Sequence, residues 1–328
     1  MTRLKRKKEI AGTTTHENDL RFGTPAMVAQ YRAKRLAKLK PDTIIEVGAG
    51  AGFQTGYFSK IAKRVIAIDV DAERLSRAKF DSNVTILAGD ALDKAILEKI
   101  KSLVEGKAVV FLDPERPPSS KHRTIDEIKP DILQFLSAYS AITPDIAIEL
   151  PPFTSEIPFP CEREYLSVDY QLNRLTIYCG ALKECAVSAV QLPGEHRATS
   201  PIAEPASVRL STQHFLLEPD LALAQAGLVY TELDVPYEEI SLGKRNAYLT
   251  TAETKSSFFK KYRLLALGKQ QVKHSLRQCS ILILHGSMEE QEQQKLLREL
   301  RPFCLGKDRL HLFVGKEGSQ WWLAKHKA

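Results

Sequence analysis

The sequence predicts an α/β protein: a mostly parallel sheet with an antiparallel edge, followed by a small α+β module at the C-terminus. Three observations carry that expectation. Short apolar runs alternate with helical patterns from Thr43 to Leu150. Those runs are continuously apolar rather than alternating, as strands covered on both faces are. Beyond Tyr165, strand patterns follow one another without helices between them. A chain of 328 residues also exceeds what one hydrophobic core usually organises, so a domain boundary is expected.

Apolar residues recur at helical spacing from Thr24 to Leu39, with Thr24 placed as N-cap, Pro25 at the first helical position and a basic outer face. The spacing then predicts strands over 43–47, 64–69, 84–88, 108–112 and 145–150, and helices over 54–62, 72–80, 92–104 and 125–139. Strands over 165–170, 175–179 and 185–190 form the antiparallel edge. Four regions follow: a basic segment and helix at 1–40, an α/β domain at 41–205, a connecting region at 206–254 with a helix over 218–227, and a module at 255–328. Residues 262–324 of that module read β-α-β-α-β-β, one sheet with two helices.

A hydrophobic share of 43% and a charged share of 27% exclude disordered and fibrous classes. No apolar run reaches the roughly 18 to 20 residues that cross a bilayer, so no membrane partner is expected. The charged start, Arg3 to Lys8, is followed by no apolar stretch, which argues against a secretory signal and for a cytoplasmic protein. Cys161, Cys179, Cys185, Cys279 and Cys304 are scattered, odd in number and without a CxxC pair, so they are expected to be small buried apolar residues and no metal site is expected. The charge is uneven. Residues 1–40 hold eleven Lys and Arg against three acidic residues, whereas the rest of the chain is close to neutral. A second basic run, from Lys255 through Lys260, Lys261 and Lys269 to Arg277, contains no acidic residue. Two such segments either grip a polyanion, through counterion release, or are solvated faces.

Glu46-Val47-Gly48-Ala49-Gly50-Ala51-Gly52-Phe53 follows a strand and opens a helix, where doubly wound, Rossmann-like folds bind their nucleotide. A dinucleotide site needs a third glycine at the position held by Phe53, so the pyrophosphate-binding form is broken. The acidic Glu46 would repel a pyrophosphate but suits a ligand carrying ammonium and sulfonium charges, as S-adenosylmethionine does. Asp69 ends the second strand 21 residues after Gly48, where a carboxylate accepts from ribose hydroxyls, and Val70 follows it. Asp90 and Ala91 close the third strand, at the place of an adenine amino group.

Glu46 to Phe53, Val65 to Asp69 and Leu87 to Ala91 resemble motifs one to three of class I S-adenosylmethionine-dependent methyltransferases, across about the first 150 to 190 residues. Thr24-Pro25, Val28 to Ala33, Phe111 to Arg116, Glu149 to Pro152, Ser167 to Asp169 and Leu217 to Asp220 further resemble the methyltransferases with a C-terminal THUMP-like domain. That resemblance implies an RNA-binding module at the end of the chain and RNA as the partner, with the methyl placed on a base nitrogen of structured RNA such as tRNA or rRNA.

Asp113-Pro114, at the end of the fourth strand, is the candidate reaction centre. Methyl transfer from a sulfonium is an in-line displacement, so the protein has chiefly to align a nucleophilic lone pair and receive a proton afterwards. Methyltransferases of base amino groups usually follow the Asp-Pro pair with Pro and an aromatic residue, whereas Glu115 and Arg116 stand here. Arg116 binds a phosphate or pairs with Glu115, and Phe153 stacks a base or belongs to the core. Cys161 lacks a positioned base and is not expected to be a nucleophile. Two other readings remain: a methyltransferase for a protein or small molecule, and a cofactor-binding RNA-binding protein without turnover.

Overall fold

The computed structural model describes residues 23–114, 125–154, 156–200, 208–318 and 320–327. The chain divides into two compact units, Met1–Arg197 and Ala198–Ala328.

The first unit opens with helix α1 (Ala26–Ala37). Pro25, rather than Thr24, is its N-cap: the Pro25 carbonyl accepts from the Val28 and Ala29 amides at 3.0 Å each. Strands β1 (Thr43–Val47), β2 (Arg64–Asp69), β3 (Val84–Ala88), β4 (Ala108–Leu112) and β5 (Ile146–Leu150) then alternate with helices α2 (Thr55–Phe58), α3 (Ala72–Arg77), α4 (Lys94–Leu103) and α5 (Ile132–Ser140). All four of these helices are shorter than their apolar patterns. Proline cannot donate a backbone hydrogen bond, and α5 starts only after Pro130, where the Asp131 side chain accepts from the Gln134 amide at 2.8 Å.

Four further strands complete the first sheet: β6 (Glu162–Val168), β7 (Gln171–Tyr178), β8 (Val187–Leu192) and β9 (His196–Thr199). The spatial order is β3-β2-β1-β4-β5-β7-β6-β8-β9. From β3 to β5 every pairing is parallel. The edge differs from a plain antiparallel run. Strand β7 lies antiparallel between β5 and β6, but β6 pairs in parallel with β8. Strand β1 sits centrally, so its C-terminal end faces the gap where the order reverses, the crevice in which such sheets bind ligands. Ile44, Val65, Val109, Phe111 and Ala147 pack with Leu36, Phe58 and Tyr178 over one face of the sheet.

The second unit is larger than expected. Strands β10 (Phe215–Pro219), β11 (Tyr237–Ser241) and β12 (Asn246–Thr250), with short helices α6 (Leu221–Gln225) and α7 (Val229–Glu232), fall within residues read from the sequence as a connecting region. They belong to one seven-stranded sheet, ordered β11-β12-β10-β13-β16-β15-β14, with β13 (Phe259–Leu267), β14 (Cys279–His285), β15 (Asp308–Val314) and β16 (Trp321–His326). Strand β10 pairs with both β12 and β13, so the sheet is continuous across the expected border at 254/255. The β-α-β-α-β-β order is present from β13 onward, with helices α8 (Lys269–Ser275) and α9 (Glu290–Leu300). Val272, Leu276 and Leu300 pack on Ala266, Leu310, Leu312 and Leu323 of one sheet face.

Of the cysteines, Cys279 is buried and the other four are half-buried; all five are free. Burial pushes the Cys161 thiol above its ordinary value, which argues against a nucleophilic thiolate there. Among the described residues no helix is long and apolar enough to cross a membrane, and no group of three or more His, Cys, Asp and Glu is arranged to hold a metal ion.

Candidate active site

The parallel pairing brings the ends of β1, β2 and β4 side by side. Val47 lies opposite Ile68 on one flank and Leu112 on the other. The chain leaving β1 turns at Gly48, whose φ of +80° is a conformation that favours glycine. Its amide and that of Ala49 donate to the Ile68 carbonyl at 2.9 and 3.0 Å, and the Asp113 amide donates to the Val47 carbonyl at 2.9 Å. A Cβ at Gly48 would lie 2.2 Å from the Asp113 carbonyl oxygen. The glycine is therefore required by both its backbone angle and the close passage of the β4 turn. It ties the glycine loop directly to Asp113 and Pro114.

Asp69 fixes the other side of the loop. One carboxylate oxygen accepts from the Gly50 amide at 2.7 Å and the other from the Asp71 amide at 2.9 Å. Each oxygen offers two lone pairs, so capacity for ribose hydroxyls remains. Val70 beside it is 66% exposed, an apolar surface at the mouth of the crevice. Asp90 is exposed and its carboxylate accepts from the Leu92 amide at 2.9 Å, while Ala91 is buried and its carbonyl accepts from the Tyr139 hydroxyl at 3.0 Å. Gly52 and Phe53 have structural duties. A Cβ at Gly52 would strike the Phe80 ring at 2.7 Å, and the buried Phe53 ring packs so closely on Gly23 that a Cβ there would lie 2.7 Å away.

Glu46 is buried at the end of β1, and its Oε2 has no hydrogen-bond partner among the described residues. Burial pushes its carboxyl up to about 8; the neighbouring Thr55 hydroxyl pulls it back, Asp113 adds to the rise, and Arg32 opposes it. A buried, unsatisfied acidic oxygen in a crevice lined by Asp69 and Asp90 is the chemistry a cationic, hydroxyl-bearing ligand needs, and S-adenosylmethionine fits this donor set.

The raised Glu46 value has an observable consequence. Its protonated form stabilises the fold fully below the ordinary carboxylate range, and that contribution is lost as pH rises through about 8. A bound cation favours the ionised form. Affinity for S-adenosylmethionine is therefore expected to rise between pH 6 and 8, with release of up to about one proton on binding. Calorimetry in buffers of different ionisation enthalpy measures that proton, and Glu46→Gln should abolish its release. Equal release in the variant would assign the proton to another group.

The remaining expected residues are distributed differently. Phe153 is 49% exposed just after β5, which places it outside the core. Arg116 and Glu115 lie outside the described residues, as do Lys5 to Lys8. Lys260 and Lys261 are consecutive on β13, so they point to opposite faces of the sheet and cannot form one patch. Lys260 lies opposite Glu218, whose Oε2 is 4.0 Å from its Nζ and also accepts from the Tyr262 hydroxyl at 3.1 Å. Lys269 is exposed, with its ammonium 5.5 Å from the centre of the Trp321 ring.

Sequence reasoning missed a buried ionic layer beneath α1. Arg32 and Arg35, read as part of a basic outer face, are 2% and 3% exposed. Arg32 pairs with Glu149, donates to Gln54 Oε1 at 2.8 Å and lies 4.5 Å above the Phe111 ring. Arg35 pairs with Glu162 at 2.8 Å and with Glu184, while Glu164 accepts from the hydroxyls of Tyr31 and Tyr178 at 2.9 and 3.0 Å. The partners lie more than a hundred residues downstream, so no local pattern announces them.

The central glycine turn, the acidic ends of three consecutive strands and the Asp113 turn together place residues 23–200 in the class I methyltransferase fold, the fold of S-adenosylmethionine-dependent enzymes. Residues 25–143 match the Rhamnosyl O-methyltransferase/CmcI family. Over 61 residues the chain is 44% identical to the "Probable ribosomal RNA small subunit methyltransferase A" of Methanosarcina mazei and to that of Methanosarcina acetivorans. Each match takes in 17% of this chain and 22% or 23% of the relative, so the chain spans about a fifth of the length of the curated relatives it matches. Among solved structures, the "putative methyltransferase" of Porphyromonas gingivalis W83 superposes with a TM-score of 0.71 over 95% of this chain and 82% of that one, at 17% identity. That likeness is one of fold, and it takes in both units.

Proposed function

We propose that the chain is an S-adenosylmethionine-dependent methyltransferase acting on a base nitrogen of structured RNA. The observation that carries the methyl-transfer reading is the contact between Gly48 and Asp113, which sets the cofactor loop and the candidate acceptor turn in one rigid crevice. When bound, the cofactor supplies an electrophilic methyl group with a neutral leaving group. Glu46 and Asp69 hold and orient it, and the Asp113 carboxylate orients the acceptor and takes up the proton released after attack. The exposed Phe153 offers a stacking face for a base. RNA as acceptor draws support from the partial likeness to ribosomal RNA methyltransferases and from the cationic character of the second unit. The match of residues 25–143 to a rhamnosyl O-methyltransferase family favours a second reading, a small-molecule hydroxyl acceptor.

Incubation with methyl-labelled cofactor and total RNA, followed by nucleoside analysis, separates the two. Label is expected in one methylated nucleoside. Asp113→Ala should lose about a hundredfold or more of that incorporation while keeping most of the cofactor affinity. Cofactor binding without label in any RNA pool would refute the RNA reading. Full activity of the variant would leave Asp113 a turn residue only.

A further inference from the structure

The seven-stranded sheet has one face that is only partly covered. Helices α8 and α9 pack over the end that carries Ala266, Trp321 and Leu323. Toward the other end of β13 and β16, on that same face, the register sets Arg263 directly opposite Lys325. One step further along, the Lys327 amide donates to the Lys261 carbonyl at 2.9 Å, placing these two lysines side by side as well. Side chains two apart on a strand share a face, so Lys261, Arg263, Lys325 and Lys327 form a two-by-two block of cations. Like charges directly across a ladder destabilise it. Only two acids answer the four cations among the described residues: Asp308, 3.0 Å from Lys325, and Glu253, paired with Lys327. Arg263 is exposed, and the Lys325 and Lys327 side chains are about half exposed.

We infer that this block is the anion-binding surface of the second unit and that it takes the phosphate backbone of RNA. The inference rests on the RNA reading above and moves its contacts away from Lys260 and Lys269. Lys260 faces Glu218 on the opposite side of the sheet, and Lys269 heads a helix above Trp321. In the block, several charges at strand spacing face one way, so neighbouring phosphates can be neutralised together and their counterions released. An acidic peptide would satisfy the same charges, but it lacks the dense charge and condensed counterions of a nucleic-acid backbone, whose release drives phosphate binding.

The test is titration of the full chain with a fluorescein-labelled RNA hairpin at several salt concentrations. Arg263→Gln/Lys325→Gln is expected to weaken binding roughly tenfold or more at physiological salt and to reduce the slope of log affinity against log salt by about two. Lys260→Gln and Lys269→Gln should leave both nearly unchanged, and Asp308→Asn, which frees Lys325, should tighten binding. Cofactor affinity should be the same in all of them. If the wild-type chain shows no salt-dependent binding, the RNA reading itself fails and the inference with it. If the wild type binds and the double variant keeps its affinity and slope, the block is wrong while the RNA reading stands. Polyglutamate that competes as effectively as unlabelled hairpin would make the block a dock for acidic protein and overturn the RNA assignment.

Discussion

Gly48→Ala is expected to abolish methyl transfer and to weaken cofactor binding, although it adds a single methyl group. Two independent costs fall on that group. At φ of +80° an L-residue is strained by about 1 to 2 kcal/mol before any neighbour is considered. In addition, the new Cβ would sit 2.2 Å from the Asp113 carbonyl oxygen, which belongs to a backbone held by the hydrogen bond its amide donates to the Val47 carbonyl. Neither partner is the far end of a flexible side chain, so relief requires the ends of β1 and β4 to separate. A displacement of about 1 Å between acceptor turn and cofactor loop costs on the order of a hundredfold in rate when geometry is the main source of catalysis. Gly56→Ala is the matched control. That glycine lies in α2 with nothing within 4 Å of the added methyl, so the substitution should be neutral or slightly stabilising. Wild-type cofactor affinity and methyl incorporation in Gly48→Ala would show that the close passage has no functional role.

The central strands of the first unit were legible because a buried parallel sheet writes itself as continuous apolar runs. Ile44-Ile45 and Val109 to Leu112 allow little else. The glycine turn was legible for a similar reason, since Gly48, Gly50 and Gly52 all adopt positive φ and few residues do so comfortably. Tertiary partners hid the rest. Phe215 to Leu217 is a run of only three apolar residues, and its neighbours on the sheet, Thr250 and Arg263, lie far away in sequence. Tyr237 to Ser241 shows no clean alternation because Glu238 and Glu239 are both half-buried. The misplacement of Lys260 and Lys261 has a narrower cause. The strand was expected to start at Tyr262 but starts at Phe259, so two residues that point to opposite faces were treated as neighbours in one cluster. Arg32 and Arg35 failed for the opposite reason. Cations on a helix surface ordinarily mark a solvated face, and nothing nearby discloses that Glu149 and Glu162 lie over them.

That ionic layer leads to the largest expected loss of stability. In Glu149→Ala the carboxylate shared by Arg32 and Arg174 disappears, and their side chains stay 3% and 15% exposed. Removing one partner of a buried pair leaves an uncompensated charge, and the usual cost is about 3 to 5 kcal/mol, a large part of the stability of an ordinary domain. Glu149→Gln keeps one acceptor oxygen and should cost less. Arg32→Met should cost less than Glu149→Ala, because Glu149 keeps its pairing with Arg174 and an apolar side chain takes the place of the buried guanidinium. The effect should also reach the cofactor. Arg32 donates to Gln54, whose amide donates to the Ala29 carbonyl at 3.1 Å, so a loosened Arg32 frees the segment that follows Gly52. Chemical denaturation followed by circular dichroism reads both units, whereas tryptophan emission reports only Trp321 and Trp322 of the second, so a shift seen in the first signal and not in the second belongs to the first unit. A transition in Glu149→Ala at the wild-type denaturant concentration would mean that Arg32 finds water or another acceptor, and that the layer does not hold the glycine loop in place.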